Sequence, residues 1–327
     1  VWLKILDEIK NFSFDKKLSA GASDVLHGSM WGLNLRYMSL SSALLIKRKE
    51  LLQYSVRRLE KLLDHQDISF KPMEIECKCG IGFGTYGWKY DYSLIEEAVN
   101  FGAVLIDTAE GYGYGKVETE LGKALKNISI PVATKVRRDH MSSSALTSTV
   151  SRSLEKLGRV SHLQIHFPND KYSDEVLGKT LVGLRKKGKI LSIGLSNCSV
   201  DMIESMQRFL SDFSGDVIRS VQVSYSLIDR RIEEFLLPYC QERGILVIAY
   251  SPLGQSYKKL HKPILDKIAK SKGGKSPQIA LSWLLSKKGV LPIPATNNLE
   301  HLKDNLKSVK IELADDEIAE IESNYPL

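Results

Sequence analysis

Four side chains of different chemical kind stand close behind one another in this chain: the carboxylate Asp107, the phenol Tyr112, the amine Lys135 and the imidazole His166. Three of them close short β-branched or apolar runs, which end at Asp107, Lys135 and His166, and Tyr112 lies in the loop after the first run. Brought together, they suit hydride transfer to a carbonyl, because the oxygen that gains charge needs a proton donor beside it. A free phenol has a pKa of about 10, and a neighbouring ammonium is expected to lower it by stabilising the phenolate. A buried lysine tends to lose its proton, and a carboxylate such as Asp107 holds it charged. His166 is then expected to direct the carbonyl oxygen towards the hydroxyl of Tyr112. Taken singly, Asp107 reads as a turn or cap residue, Tyr112 as a turn residue between glycines and His166 as a core histidine; the set of four argues for a site.

Such a set needs parallel strands that end at one mouth. From Met73 onward, short β-branched runs alternate with helical patterns at even spacing, the mark of repeated strand-helix units. Eight strands are expected: Ile81 to Thr85, Val104 to Ala109, Val132 to Val136, His162 to Pro168, Ile190 to Ser196, Ser220 to Tyr225, Ile245 to Tyr250 and Val290 to Ile293. Helices are expected at Leu94 to Asn100, Val117 to Lys126, Ser144 to Leu157, Glu175 to Lys186, Met202 to Phe213, Ile232 to Glu242, Pro277 to Ser286, Glu300 to Lys307 and Asp315 to Glu322. Ser93, Ser199 and Ser276 stand where N-caps are wanted, and Pro277 suits a first helical position. Gly102, Gly158, Gly188, Gly244 and Gly289 stand where left-handed closing residues are wanted. Eight such units in series argue for an α/β fold of the closed (β/α)8 TIM-barrel type over residues 73–327, with reactive groups at the C-terminal ends of the strands.

Residues 1–72 do not share this rhythm and read as a mainly helical N-terminal extension. They hold a short helix near Leu3 to Ile9 and an amphipathic one from Ser42 to His65, with Trp31 in an apolar stretch between them. Of the net charge of +7, +4 falls in this extension. It is read as packing on the barrel or as a surface for a protein partner or self-association. The modest positive charge elsewhere is read as a solvated surface, with no nucleic acid and no membrane as partner. No apolar run approaches the ~20 residues of a membrane span. Cys77 and Cys79 form a C-x-C without nearby histidine, a poor metal signal, and Cys198 and Cys240 read as reduced thiols, so no metal is expected and the default location is cytoplasmic. The chain begins at Val1 without a recognisable leader, and one reading makes it part of a larger polypeptide.

The segment Asp107-Thr108-Ala109-Glu110-Gly111-Tyr112-Gly113 resembles the aldo-keto reductase motif around its catalytic Asp and Tyr, and Thr134-Lys135-Val136 and Gln164-Ile165-His166-Phe167-Pro168 resemble the stretches that carry the family's Lys and His. Gly194-Leu195-Ser196-Asn197 is similar to its strand-five motif, Gln222 matches the third partner of the nicotinamide carboxamide, and Ala249-Tyr250-Ser251-Pro252-Leu253-Gly254 resembles the strand-seven motif. Gly84-Thr85-Tyr86 stands where the family commonly has Gly-Thr-Trp. The match spans Ile81 to about Asn305. The resemblance implies an oxidoreductase acting on an aldehyde or ketone, or on the alcohol in reverse, with NADPH or NADH. It implies Tyr112 as general acid among Asp107, Lys135 and His166. It also implies a cofactor site of Gly84, Thr85, Tyr86, Ser196, Asn197, Gln222, Tyr250 stacking on the nicotinamide, Ser251 to Gly254 over the pyrophosphate, Thr296 and Asn305.

Two departures from the family pattern bear on specificity. The basic residues that meet the 2′-phosphate of NADPH are expected after strand eight, where this chain has Ala295 and His301, so NADH contends with NADPH unless Lys258, Lys259 or Lys303 reaches the phosphate. The loop Asn169 to Asp174 is short and little chain follows Glu322, so an open mouth is expected. A dinucleotide fold of the Rossmann type is suggested by Gly80-Ile81-Gly82-Phe83-Gly84 with Asp107 downstream, but the glycines read G-x-G-x-G and Trp88 to Tyr92 intervene before the helix. A second alternative, a nicotinamide-binding regulatory or scaffold subunit acting through a partner, keeps the barrel without turnover.

Overall fold

The computed structural model of this protein describes residues 80–254 and 260–327. The expected helices at Leu3 to Ile9 and Ser42 to His65, together with Trp31, Cys77, Cys79, Lys258 and Lys259, lie outside the described residues.

Eight strands run in parallel and in chain order: β1 (Phe83–Gly84), β2 (Ile106–Asp107), β3 (Val132–Val136), β4 (His162–Ile165), β5 (Ser192–Ser196), β6 (Ile218–Ser224), β7 (Leu246–Tyr250) and β8 (Val290–Pro292). The ring closes where the N–H of Gly82 donates to Pro292 O (3.0 Å) and that of Gly84 to Pro294 O (3.1 Å). The expected (β/α)8 barrel is therefore the fold of the described residues. Gly84 is required at this seam, because a Cβ there would lie 2.9 Å from Ile293 O.

The helices are α1 (Tyr92–Asn100), α2 (Lys116–Ala124), α3 (Ser143–Leu157), α4 (Asp174–Lys186), α5 (Val200–Ser214), α6 (Leu236–Glu242), α7 (Pro263–Lys272), α8 (Ser276–Ser286), α9 (Leu299–Lys307) and α10 (Asp315–Asn324). Gly102, Gly158, Gly188, Gly244 and Gly289 all have positive φ, as their places after helices require. Four details differ from the expectations above. α6 starts at Leu236 because a 3-10 turn, Arg231–Glu233, takes the preceding residues. Asp91 rather than Ser93 caps α1, its carboxylate accepting from the N–H of Ser93 at 3.0 Å, and Lys275 rather than Ser276 precedes α8. α7 was not expected, since its sequence mixes lysines with few apolar residues; its buried face is Ile264, Leu265, Ile268 and Ala269.

Alternation along each strand divides side chains between the barrel interior and the helix layer. Leu105, Ala133, Ile248, Leu291 and Ile293 form a small apolar cluster of their own, contributed by β2, β3, β7 and β8 or the residues flanking them. The strands opposite, β4 to β6, carry buried His162, Gln164, Ser192, Ser196, Ser220 and Gln222. The barrel is thus filled by an apolar half and a polar half.

Candidate active site

The register of β1 to β3 aligns Gly84 with Asp107 and Asp107 with Ala133, so Asp107 and Lys135 reach the C-terminal mouth from adjacent strands. Lys135 is fully buried and its ammonium donates three hydrogen bonds: to Asp107 Oδ2 (2.7 Å), to Thr108 O (2.8 Å) and to the hydroxyl oxygen of Tyr112 (3.3 Å). All three N–H groups of the lysine are then used. The Tyr112 oxygen is an acceptor in that contact, which leaves its own proton to point elsewhere. Tyr112 sits at the start of a 3-10 turn, Tyr112–Gly115, in which Gly113 and Tyr114 take positive φ.

Burial draws Lys135 below the ordinary lysine range, and Asp107 opposes that shift. Tyr112 is pushed up from its ordinary value, first by burial and then by the charge of Asp107. The sequence reading expected the reverse for the phenol. The reason is burial: withdrawing the phenol from water disfavours the phenolate, and the Asp107 carboxylate adds to that, while Lys135 makes its shortest contact with Asp107 rather than with the phenol. Tyr112 is held protonated.

His166 follows β4, with its N–H on Val136 O at 2.9 Å, and its ring meets Tyr112 edge to face at 6.0 Å between centroids. Burial and then Lys135 pull it down to about 4, so it is a neutral imidazole at pH 7. Its other face stacks on half-exposed Phe167 at 5.0 Å.

Of the residues that the resemblance assigns to the cofactor, Ser196, Gln222 and Tyr250 stand at or near the C-terminal ends of β5, β6 and β7, and Asn197 directly follows β5. Asn197, at positive φ, donates to Ser196 Oγ and to His166 O, both at 3.0 Å, and accepts from the hydroxyl of Tyr250 at 2.9 Å. Gln222 donates to Asp107 Oδ1 (2.8 Å) and to Gln164 Oε1 (3.1 Å). Both of its N–H groups are thereby used, and its amide oxygen is left as an acceptor. Ser251 takes positive φ and is tied to Gly254 by a 2.8 Å bond; Pro252 is buried and Leu253 half-buried. Such non-glycine strain at the end of a strand is the kind that clusters where a ligand is held. A buried serine, an asparagine, an amide acceptor and an aromatic ring make a donor and acceptor set suited to a carboxamide on a flat ring. The residues present therefore fit a nicotinamide.

Thr85 is placed differently from expectation: its hydroxyl is fully buried and donates to Asp107 O at 2.9 Å, so it braces β2. Tyr86 is largely exposed and packs edge-on against Tyr112 at 5.3 Å. Beyond β8, Ala295 is exposed, Thr296 accepts from the N–H of Asn298, and Asn298 caps α9 through the N–H of His301 at 3.0 Å. Lys303 lies over the ring of Phe101 at 5.4 Å and pairs with Glu300. Asn305 is buried on α9.

Sequence reasoning missed the polar chain beneath the site. His162 is wedged between Ser192 Oγ (2.7 Å) and Ser220 Oγ (2.6 Å), and Gln164 donates to Ser220 Oγ at 3.2 Å. With Gln222 these groups form a buried path of hydrogen bonds up to Asp107. A Cβ on Gly194 would lie 2.5 Å from His162 Nε2, so the glycine makes room for the chain. The available signal was the period-two run His162, Gln164, His166.

Residues 80–326 match the family model of the aldo/keto reductase family. The chain belongs to that family, and it is an oxidoreductase of the aldo-keto reductase type. It is 28% identical over 246 residues to methylglyoxal reductase YeaE of Escherichia coli, covering 73% of this chain and 85% of that protein. Among solved structures, the thermostable aldo-keto reductase Tm1743 in complex with the inhibitor epalrestat superposes with a TM-score of 0.69 at 32% identity, covering 74% of this chain and 94% of that one. An aldo-keto reductase from Klebsiella pneumoniae in complex with NADPH gives a TM-score of 0.70 at 27% identity, covering 76% and 91%. Among the described residues no helix is long and apolar enough to cross a membrane.

Proposed function

We propose that the protein reduces an aldehyde or ketone with Tyr112 as general acid, and runs the reverse oxidation by the same groups. The observation that carries this reading is the threefold hydrogen bonding of Lys135, which leaves the proton of Tyr112 free to face the mouth beside His166. When bound, a reduced nicotinamide supplies the hydride. Tyr112 gives its proton to the carbonyl oxygen as charge develops there, and Lys135 stabilises the phenolate left behind. Asp107 keeps the lysine charged, and neutral His166 offers an N–H that orients the oxygen. Ser196, Asn197 and the oxygen of Gln222 would hold the carboxamide, and Tyr250 would back the ring. Gly84, Tyr86, Ser251 to Gly254, Thr296 and Asn305 would complete the nucleotide cradle.

The same reading favours NADH over NADPH, although the Klebsiella neighbour carries NADPH. A 2′-phosphate is normally met by Arg or Lys, whereas Ala295 and His301 stand at the expected positions and Lys303 is engaged by Phe101 and Glu300. It further assigns residues 73–327 to the barrel, residues 1–72 to a separate extension and the chain to the cytoplasm. Buried Cys198 and Cys240, both pushed up to about 12 by burial, behave as inert reduced thiols.

Parallel titration with NADH and NADPH, followed by tryptophan quenching and then by aldehyde-dependent loss of reduced-nicotinamide absorbance, tests both parts. Binding with turnover is expected, tighter for NADH. Folded protein that binds neither nucleotide sinks the reductase reading, and tighter NADPH binding sinks the cofactor preference alone.

A further inference from the structure

Beside His166 the mouth opens into a cleft of about 500 Å³ lined by Arg137, Arg138, Asp139, Phe167, Asn169 and Lys171. Three cations and one carboxylate share this wall. Asp139 is committed to Arg137, whose Nε and Nη2 donate to its two oxygens at 3.1 and 2.9 Å. The nearby carboxylate of Glu110 is likewise engaged, by the backbone N–H of Arg137 (2.6 Å) and by His140 Nδ1 (3.0 Å). Arg138 and Lys171 have no acidic partner among the described residues, and both are exposed to the cleft's solvent.

Their placement is fixed by the fold. Arg138 belongs to the loop after β3 and Lys171 to the loop after β4, and Asn169 ties the two loops together. Its amide N–H donates to Arg138 O, and its Oδ1 accepts from the backbone N–H of Lys171 at 3.2 Å. One asparagine thus ties together the backbones that carry the two cations, and both residues line the cleft. The ring of Phe167, stacked on His166, gives the cleft an apolar surface, and His166 in turn meets the ring of Tyr112. A substrate lying on Phe167 with its carbonyl at Tyr112 would carry its far end towards Arg138 and Lys171.

We propose that this wall selects carbonyl substrates bearing an anionic group, a carboxylate or a phosphate ester, at the end remote from the carbonyl. The inference rests on the reductase reading and adds its substrate class. Charge at the wall raises the capture of such a substrate and leaves the proton transfer at Tyr112 as it is for any aldehyde, so the effect belongs in kcat/KM.

The test compares 4-carboxybenzaldehyde and 4-formylphenyl phosphate with the neutral methyl 4-formylbenzoate. At low salt, one or both anions should exceed the ester by roughly three- to tenfold in kcat/KM, the scale of one or two solvent-accessible charge contacts, and the larger gain identifies the anion. The advantage should shrink as salt takes the screening length from about 30 Å to about 3 Å. Arg138→Gln with Lys171→Gln should bring the ratio of anion to ester close to one. Asp139→Asn, which frees Arg137, should raise it. All three positions are exposed, so folding is not at stake. Equal use of anions and ester by the unmodified protein, or a ratio that ignores these substitutions, overturns the inference and leaves the reductase reading standing; turnover of none of the three overturns both.

Discussion

The two halves of the barrel interior solve the same packing problem by different means. On one side Leu105, Ala133, Ile248, Leu291 and Ile293 fill the space by size alone. On the other, Ser192, His162, Ser220, Gln164 and Gln222 fill it by hydrogen bonding, each group holding the next. An apolar layer tolerates small shifts, because dispersion contacts have no preferred direction. A buried polar chain fixes angles, because every member that slips leaves an unpaired group. The halves meet at Asp107, whose Oδ2 faces Lys135 and whose Oδ1 is held by Gln222. The carboxylate that governs Lys135, and through it Tyr112, is therefore anchored from the rigid side.

The comparison is broken most sharply where chemistry and packing separate. Tyr112→Phe keeps both halves intact and removes the proposed proton donor; turnover should fall by about 10²–10⁴-fold with nucleotide affinity little changed, and single-turnover rates beside a binding titration check it. Normal turnover in that variant would remove Tyr112 from the mechanism. Lys135→Met strands the Asp107 carboxylate in the interior, and the cost should be about 3–5 kcal/mol in urea unfolding. Pairing it with Asp107→Asn should restore much of that stability without restoring turnover. Gln222→Leu releases one oxygen of Asp107 and the oxygen of Gln164 together. About 1–3 kcal/mol of stability should be lost, and nucleotide binding should weaken as well; a variant with unchanged stability would mean that the polar half does not anchor Asp107.

Much of this architecture was legible in the sequence because strand-helix units and helix-closing glycines leave local marks. All eight strands lie where the β-branched runs place them, and Val132–Val136 matches to the residue. The shortening of β1 and β2 to two residues each reflects ladder bonds, which depend on neighbours. α7 escaped because the apolar face of Ile264, Leu265, Ile268 and Ala269 is interrupted by lysines. Within the site, residue types and order located Asp107, Tyr112, Lys135 and His166, but the sign of the shift on Tyr112 was not readable. It depends first on how deeply the phenol is buried and then on how near the Asp107 carboxylate lies, and only the closed barrel sets both. The polar chain was hidden for a similar reason: His162, Ser192 and Ser220 come from three strands and become neighbours only when β4, β5 and β6 align.

The last effect concerns that chain, and it is read through pH. Burial, with a smaller contribution from Lys135, pulls His162 down to about 3, while His166 lies at about 4. An unfolded histidine titrates near 6.5. Between about 4 and 6.5 the unfolded chain therefore binds protons at both positions that the folded protein refuses. Stability must then fall as pH drops through that window, by up to ~1.4 kcal/mol per pH unit for each histidine at the acid end. His162→Gln removes one of the two titrations and keeps a side chain that can hydrogen-bond to Ser192 and Ser220. Its urea midpoint should depend less steeply on pH between 6.5 and 4.5 than that of the unmodified protein, and a set of midpoints across that range measures the difference. Parallel curves would mean that His162 takes up its proton in the folded barrel. The polar half would then have to accommodate a charge that the apolar half, with no partner to offer, would reject.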